Sequence, residues 1–138
     1  MKEEYVTYSQ AVKLKELGFK NKCNAYYWTE DKAFECTNRI VHKNSDTCQT
    51  VVMAPFRWQA QAYLREKGII VYTKPIVKSV GDEELQGFKF ILKGYRFHVI
   101  KLDNARHLTS YDYPTDELAL SAGIDAALKL LGKEVNNA

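Results

Sequence analysis

The sequence has little of what would divide, cross-link or anchor it. It holds three prolines, seven glycines and three cysteines, with no linker, internal repeat or low-complexity stretch. Three cysteines leave one thiol outside any pairing scheme, so a disulfide framework is not expected. No apolar run nears the roughly 20 residues needed to cross a bilayer. The opening MKEEYVTYSQ has no apolar h-region and leads straight into a helix signal, so neither a membrane anchor nor a secretory signal is expected. Reduced thiols in a cytoplasm are the simpler expectation. A strong excess of one charge is missing too. The 20 Lys and Arg against 17 Asp and Glu give a net charge of +3, short of the basic footprint of a dedicated nucleic-acid binder.

Catalytic and metal signatures are also lacking. There is no G-x-S-x-G elbow, H-E-x-x-H or Walker loop. His42, His98 and His107 have no local orienting partner, and the i, i+4 pair Asp103/His107 is of a kind that arises by accident. Cys23, Cys36, His42 and Cys48 suit zinc by residue type, but no C-x₂-C pair preforms half a site. The expectation is a protein that is not an enzyme, with no metal and no cofactor.

What is present is ample material for one core. The chain has 138 residues, 46% of them hydrophobic and 12% aromatic, enough for one domain over 1–133, with 134–138 a loose tail. A first helix is predicted from about Tyr8 to Leu17. Thr7 or Ser9 caps it, Ala11, Leu14 and Leu17 form its apolar stripe, and Gly18 with Phe19 ends it. Asn24–Thr29 and Ala33–Thr37 read as strands about a turn at Glu30–Lys32, followed by a loop over Asn38–Thr47 and a short strand over Gln49–Met53. Pro55 suits the first position of a second helix over Phe56–Lys67, which Gly68 closes. Ile69–Thr73 is a strand and Pro75–Glu84 a loop.

Gly87–Lys101 reads as a hairpin turning at Lys93-Gly94, with Leu92 opposite Tyr95, Phe90 opposite Phe97 and Phe88 opposite Val99. A last helix runs from Thr115, its cap, to Leu131, and Gly132 stops it. The expected fold is α+β in the order α-β-β-(β)-α-β-β-β-α, an antiparallel-rich sheet of about five strands with three helices packed on it.

Two surfaces stand out as surplus to this plan. On the second helix, Phe56, Ala60, Tyr63 and Leu64 share the core arc, while Trp58 lies opposite with Arg65, and Gln61 sits at the edge. Trp and Arg are the residue types enriched at binding hot spots. On the last helix only Ser121, Asp125 and Lys129 form a polar stripe. Leu120, Ile124 and Leu131 belong to an apolar surface that covers most of the circumference. Either this helix is central, or its second apolar face meets another subunit and the protein is a homodimer. A third surface is the reverse face of the hairpin. Lys89, Lys93, Arg96, His98 and Lys101 can track a phosphate backbone there, with Tyr26, Tyr27 or Trp28 on an adjoining strand for stacking.

Several stretches form a recognisable set: Ser9-Gln10-Ala11 through Leu17-Gly18-Phe19; Cys23-Asn24 before Tyr26-Tyr27; Ala54-Pro55 leading to the run from Gln61 to Ile69; and Ala122 through Leu128. In these the chain resembles a group of short, uncharacterised proteins of gut bacteria, their phages and mobile elements. The resemblance spans most of the chain and implies no activity. Phe56-Arg57-Trp58 departs from the small polar residues expected after Ala-Pro, and Lys93-Gly94 shortens the hairpin tip. The functional expectation is a non-catalytic accessory module that contacts an unknown protein partner through Trp58, Gln61, Arg65, Leu120, Ile124 and Leu131. The alternative is nucleic-acid binding by the basic hairpin face.

Overall fold

The structure is a computed structural model and describes residues 4–37, 39, 42–82 and 87–137. Its elements follow the order α1 (Tyr8–Glu16), β1 (Ala25–Trp28), β2 (Phe34–Cys36), β3 (Val51–Met53), α2 (Arg57–Glu66), β4 (Ile69–Asp82), β5 (Gly87–Lys101), β6 (Arg106–Thr109) and α3 (Asp116–Asn137). The α+β class and the three helices match the expectation from sequence. The strands do not form one sheet. They form two antiparallel three-stranded sheets, ordered β2-β1-β3 and β4-β5-β6.

Local chemistry explains the helix ends. Thr7 caps α1 through a reciprocal box: its Oγ1 accepts from the Gln10 amide at 3.2 Å, and Gln10 Oε1 accepts from the Thr7 amide at 2.9 Å. At the other end Gly18 takes φ 94°, and the Phe19 amide reaches back to the Leu14 carbonyl at 2.9 Å. Phe19 itself is fully buried, which completes the glycine-then-hydrophobe stop. Gly68, at φ 83°, does the same for α2. Pro55 lies before this helix rather than at its first turn. Phe56 is the N-cap, and its amide donates to Gln59 Oε1 at 2.9 Å. Thr115 Oγ1 accepts from the Leu118 amide at 3.2 Å and caps α3 as expected.

The largest correction concerns Lys93-Gly94. It is not a turn, so Leu92 and Tyr95, Phe90 and Phe97, and Phe88 and Val99 are neighbours along one strand rather than partners across a hairpin. β5 runs unbroken and pairs along its length with β4, from Ile69↔Lys101 to Asp82↔Gly87, with a register shift at Ile76/Val77 that leaves Lys93 as the extra residue of a bulge. A glycine inside a strand pattern marks either a turn or a close approach, and here it is the second. Tyr113 bridges to Tyr95, and a Cβ on Gly94 would lie 2.6 Å from the Tyr113 carbonyl oxygen. Pro75, expected to open a loop, lies within β4. That strand is the sheet's edge, where a missing N–H is tolerated. Of the expected 75–84 loop, Glu83 and Glu84 lie outside the described residues, as do Asn38, Ile40 and Val41 of the 38–47 loop and Ala138 of the tail. β6 was not foreseen.

One core joins both sheets. It includes Val6 and Leu14 from the α1 region, Ala25 and Tyr27 from β1, Ala60 and Leu64 from α2, Val71 and Val99 from the second sheet, and Ile124, Ala127 and Leu128 from α3. α3 therefore takes the central option: Ile124 and Leu131 are buried in this protomer and Leu120 packs against the core. None of the three offers a free apolar face, because α1, α2, β4 and β5 all pack on this helix. Nor does the helix stop at Gly132; it continues to Asn137, through most of the expected 134–138 tail. Gly123 lets α3 lie close on the sheet, since a Cβ there would come within 2.9 Å of Phe97 Cβ and 3.0 Å of Val71 Cγ1.

Two glycines of one helix should thus respond in opposite ways to alanine. Gly132→Ala, with open space around the added methyl, is expected to stabilise by about 0.5–1 kcal/mol. Gly123→Ala is expected to destabilise by about 1–3 kcal/mol through overpacking. Urea denaturation of both variants checks this. No gain at 132 would mean the helix ends there, and a tolerated methyl at 123 would mean α3 stands off the sheet.

Candidate functional site

The N-terminal ends of the three helices border one open cleft of about 960 Å³. Its floor is aromatic. Tyr5 and Tyr27 are almost wholly buried, and burial is the chief cause that lifts both hydroxyls above the ordinary phenol range. They remain donors: Tyr27 Oη bonds the Val6 carbonyl at 2.8 Å, and Tyr5 Oη bonds Asn24 Oδ1 at 3.1 Å. Tyr8 packs edge-on against Tyr27, and Lys32 Nζ lies 5.3 Å from the Tyr8 ring centre. Around this floor the lining mixes signs, with Lys32 and Arg57 against Glu4 and Glu117, and Leu118 adds an exposed apolar shoulder.

A row of rings leads out of the cleft. Tyr5 stacks on Phe56 with centroids 4.4 Å apart, and Phe56 stacks on Trp58 at 5.9 Å with planes 15° apart. Trp58 ends the row and is 61% exposed. The helical wheel therefore places Trp58 correctly, and Arg65, two turns on, is also exposed. Gln61 is otherwise engaged. Its Nε2 donates to the Val71 carbonyl at 2.9 Å and ties α2 to β4, so it is a structural residue. Sequence periodicity gives no hint of Tyr5, Tyr8, Lys32 or Arg57, because they come from a segment before α1, a turn and two helix starts that only tertiary packing unites.

The basic residues of β5 are dispersed. Lys89 and Lys93 are exposed beyond and at the bulge. Arg96 Nε bonds Asp112 Oδ1 at 2.8 Å, and Lys101 Nζ lies 3.6 Å from Asp103 Oδ2. His98 stacks on Tyr72 with ring centres 4.9 Å apart, and its Nδ1 lies 3.0 Å from His107 Nε2. Burial first, then His107, Lys74 and Arg96, hold the His98 imidazole below its ordinary range. Tyr26, Tyr27 and Trp28 cannot extend this face by strand pairing, because β1 belongs to the other sheet.

The cysteines do not converge. Cys23 is buried and Cys36 is exposed. Among the described residues no group of three His, Cys, Asp or Glu is arranged to hold a metal ion. Cys23 and His42 meet only through their backbones, with amide–carbonyl bonds of 2.7 and 3.1 Å. Burial pushes the Cys23 thiol up to about 12. The Thr50 hydroxyl, followed by the Val51 and Thr50 amides, holds Cys48 below the usual thiol range.

Compared with known proteins, the chain matches no family model, no curated protein and no solved structure.

The thiols should separate in a reaction with Ellman's reagent at neutral pH. Cys48 is expected to react first, because thiolate content governs the rate, Cys36 next, and Cys23 only after denaturation. Cys48→Ser should remove the fastest phase. Labelling of native Cys23 at the rate of the others would contradict its packing.

Proposed function

We propose that this protein is a non-catalytic interaction module that holds a short segment of a partner protein in the aromatic cleft, with Trp58 as the outer anchor. The exposed Trp58 ring, seated on Phe56 and through it on buried Tyr5, is the observation that carries this reading. A large apolar ring already held in place loses little side-chain entropy on binding, and such rings dominate contact energies. The mixed charges of the lining suit a polypeptide, which offers both signs, better than a uniformly anionic ligand. Three free thiols fit a reducing cytoplasm.

Polynucleotide binding is the weaker reading. Arg96 and Lys101 are paired with carboxylates, and His98 is engaged with His107 and Tyr72. That leaves Lys89 and Lys93 as a small basis for tracking phosphates.

Selection from a displayed random-peptide library against the whole protein tests the proposal. Enriched peptides are expected to carry an apolar or aromatic anchor, and Trp58→Ala should weaken them by about 2 kcal/mol or more, roughly thirtyfold. Leu118→Glu, at the cleft's exposed shoulder, should weaken them as well. Failure to enrich any peptide, or equal binding by wild type and both variants, would overturn it.

A further inference from the structure

The outer face of the second sheet carries positive charge that the described residues do not balance. Val71 and Phe97 lie against α3 at Gly123. Side chains alternate along a strand, so Tyr72, Lys74, Arg96 and His98 stand on the opposite face. Lys74 and Arg96 are direct partners across the β4–β5 pair, and Tyr72 and His98 form the neighbouring pair on that face. Like charges directly opposed across antiparallel strands are destabilising. One carboxylate is at hand, since Asp112 Oδ1 accepts from Arg96 Nε at 2.8 Å. Lys74 has no carboxylate partner among the described residues.

At this place the bulge at Ile76/Val77 borders a notch of about 300 Å³, lined by Lys74, Pro75, Ile76, Val77, Arg96 and His98. Bulges of this kind re-aim side chains beside functional sites. Each cationic group is also positioned. Asp112 holds Arg96 by Nε and leaves both terminal guanidinium nitrogens available. His98 is stacked on Tyr72, and its Nδ1 lies 3.0 Å from His107 Nε2. With His107 donating in that bond, the His98 proton sits on Nε2, which has no partner among the described residues. Burial, then His107, then Lys74 and Arg96 hold this imidazole below its ordinary range, so both cations act on the same small volume.

The donor set selects the ligand. A carboxylate offers two oxygens in one plane and a single charge. A phosphomonoester offers three terminal oxygens and a charge of about −1.5 to −2, which an ammonium, a guanidinium and an imidazole on two paired strands can share. We propose that this notch binds one phosphomonoester group, with Lys74 and Arg96 matching its charge, His98 donating from Nε2, and Ile76 and Val77 against the organic part that carries it. A polynucleotide fits less well, because Lys89 and Lys93 do not line the notch and a phosphodiester has only two free oxygens. The site lies on the face of the sheet away from α3 and does not rest on the cleft.

NMR titration of the histidine side chains in the full chain tests it. Millimolar inorganic phosphate or phenyl phosphate should raise the titration midpoint of His98, because a bound dianion favours the imidazolium; chloride at matched ionic strength should not. Lys74→Gln should weaken phenyl phosphate at least about tenfold with an unchanged circular dichroism spectrum. Lys78→Gln, on the same face but outside the notch, should leave binding as it is. A phosphoserine peptide that binds more tightly than phenyl phosphate assigns the group to a modified protein segment, and equal or weaker binding assigns it to a small phosphomonoester. A His98 that responds to no phosphomonoester overturns the proposal. So does a response that survives Lys74→Gln, or one evoked only by single-stranded DNA or RNA without terminal phosphates.

Discussion

The buried amide of Gln10 is the interaction on which the arrangement turns. Its Nε2 faces three acceptors of α3, the Ser121 carbonyl at 2.8 Å and Ser121 Oγ and Asp125 Oδ1 at 3.1 Å. Its Oε1 meanwhile completes the α1 cap. A fully buried amide without these partners would cost about 1–3 kcal/mol, so α1 and α3 have one favourable register. α3 in turn is seated on the second sheet at Gly123, and α1 packs on β3 of the first. Among the described residues the two sheets share no strand pairing, and this helix contact is a principal route by which they become one body. The polar stripe of α3 therefore has an internal purpose: Ser121 and Asp125 are polar because Gln10 needs them.

The same contact produces the cleft. Locking α1 against α3 brings their first turns near the start of α2, which is itself held by the bridge between Tyr5 and Phe56 and by the bond from the Val6 amide to the Pro55 carbonyl at 3.0 Å. Tyr5 and Tyr27 fill the space beneath, and their hydroxyls are satisfied within the protein. Everything that immobilises Trp58 is thus part of the core, so the exposed ring inherits the stiffness of the buried ones. Asn44, on the way from β2 to β3, is pinned in a similar way. It donates to the Phe19 carbonyl and accepts from the Met53 amide, both at 3.0 Å, so this buried side chain ties the end of α1 to β3.

Features governed by neighbouring residues were legible in the sequence. Thr7, Gly18 with Phe19, Gly68 and Thr115 mark their helix ends because capping is local chemistry. Features governed by distant ones were not. Gly94 serves the passage of Tyr113, nineteen positions further along the chain, and reads locally as a turn. Pro75 reads as a loop because a strand's edge position is a property of the sheet. Gly132 carries a stop signal that α3 ignores: unlike Gly18 and Gly68 it does not take the positive φ of a helix stop, and one glycine inside a helix costs only about 1 kcal/mol. The excess of apolar residues on α3 could be recognised, but a wheel does not say how many neighbours a helix has. Exposure of Trp58 was legible from the wheel; the cleft beside it, drawn from four separate segments, was not.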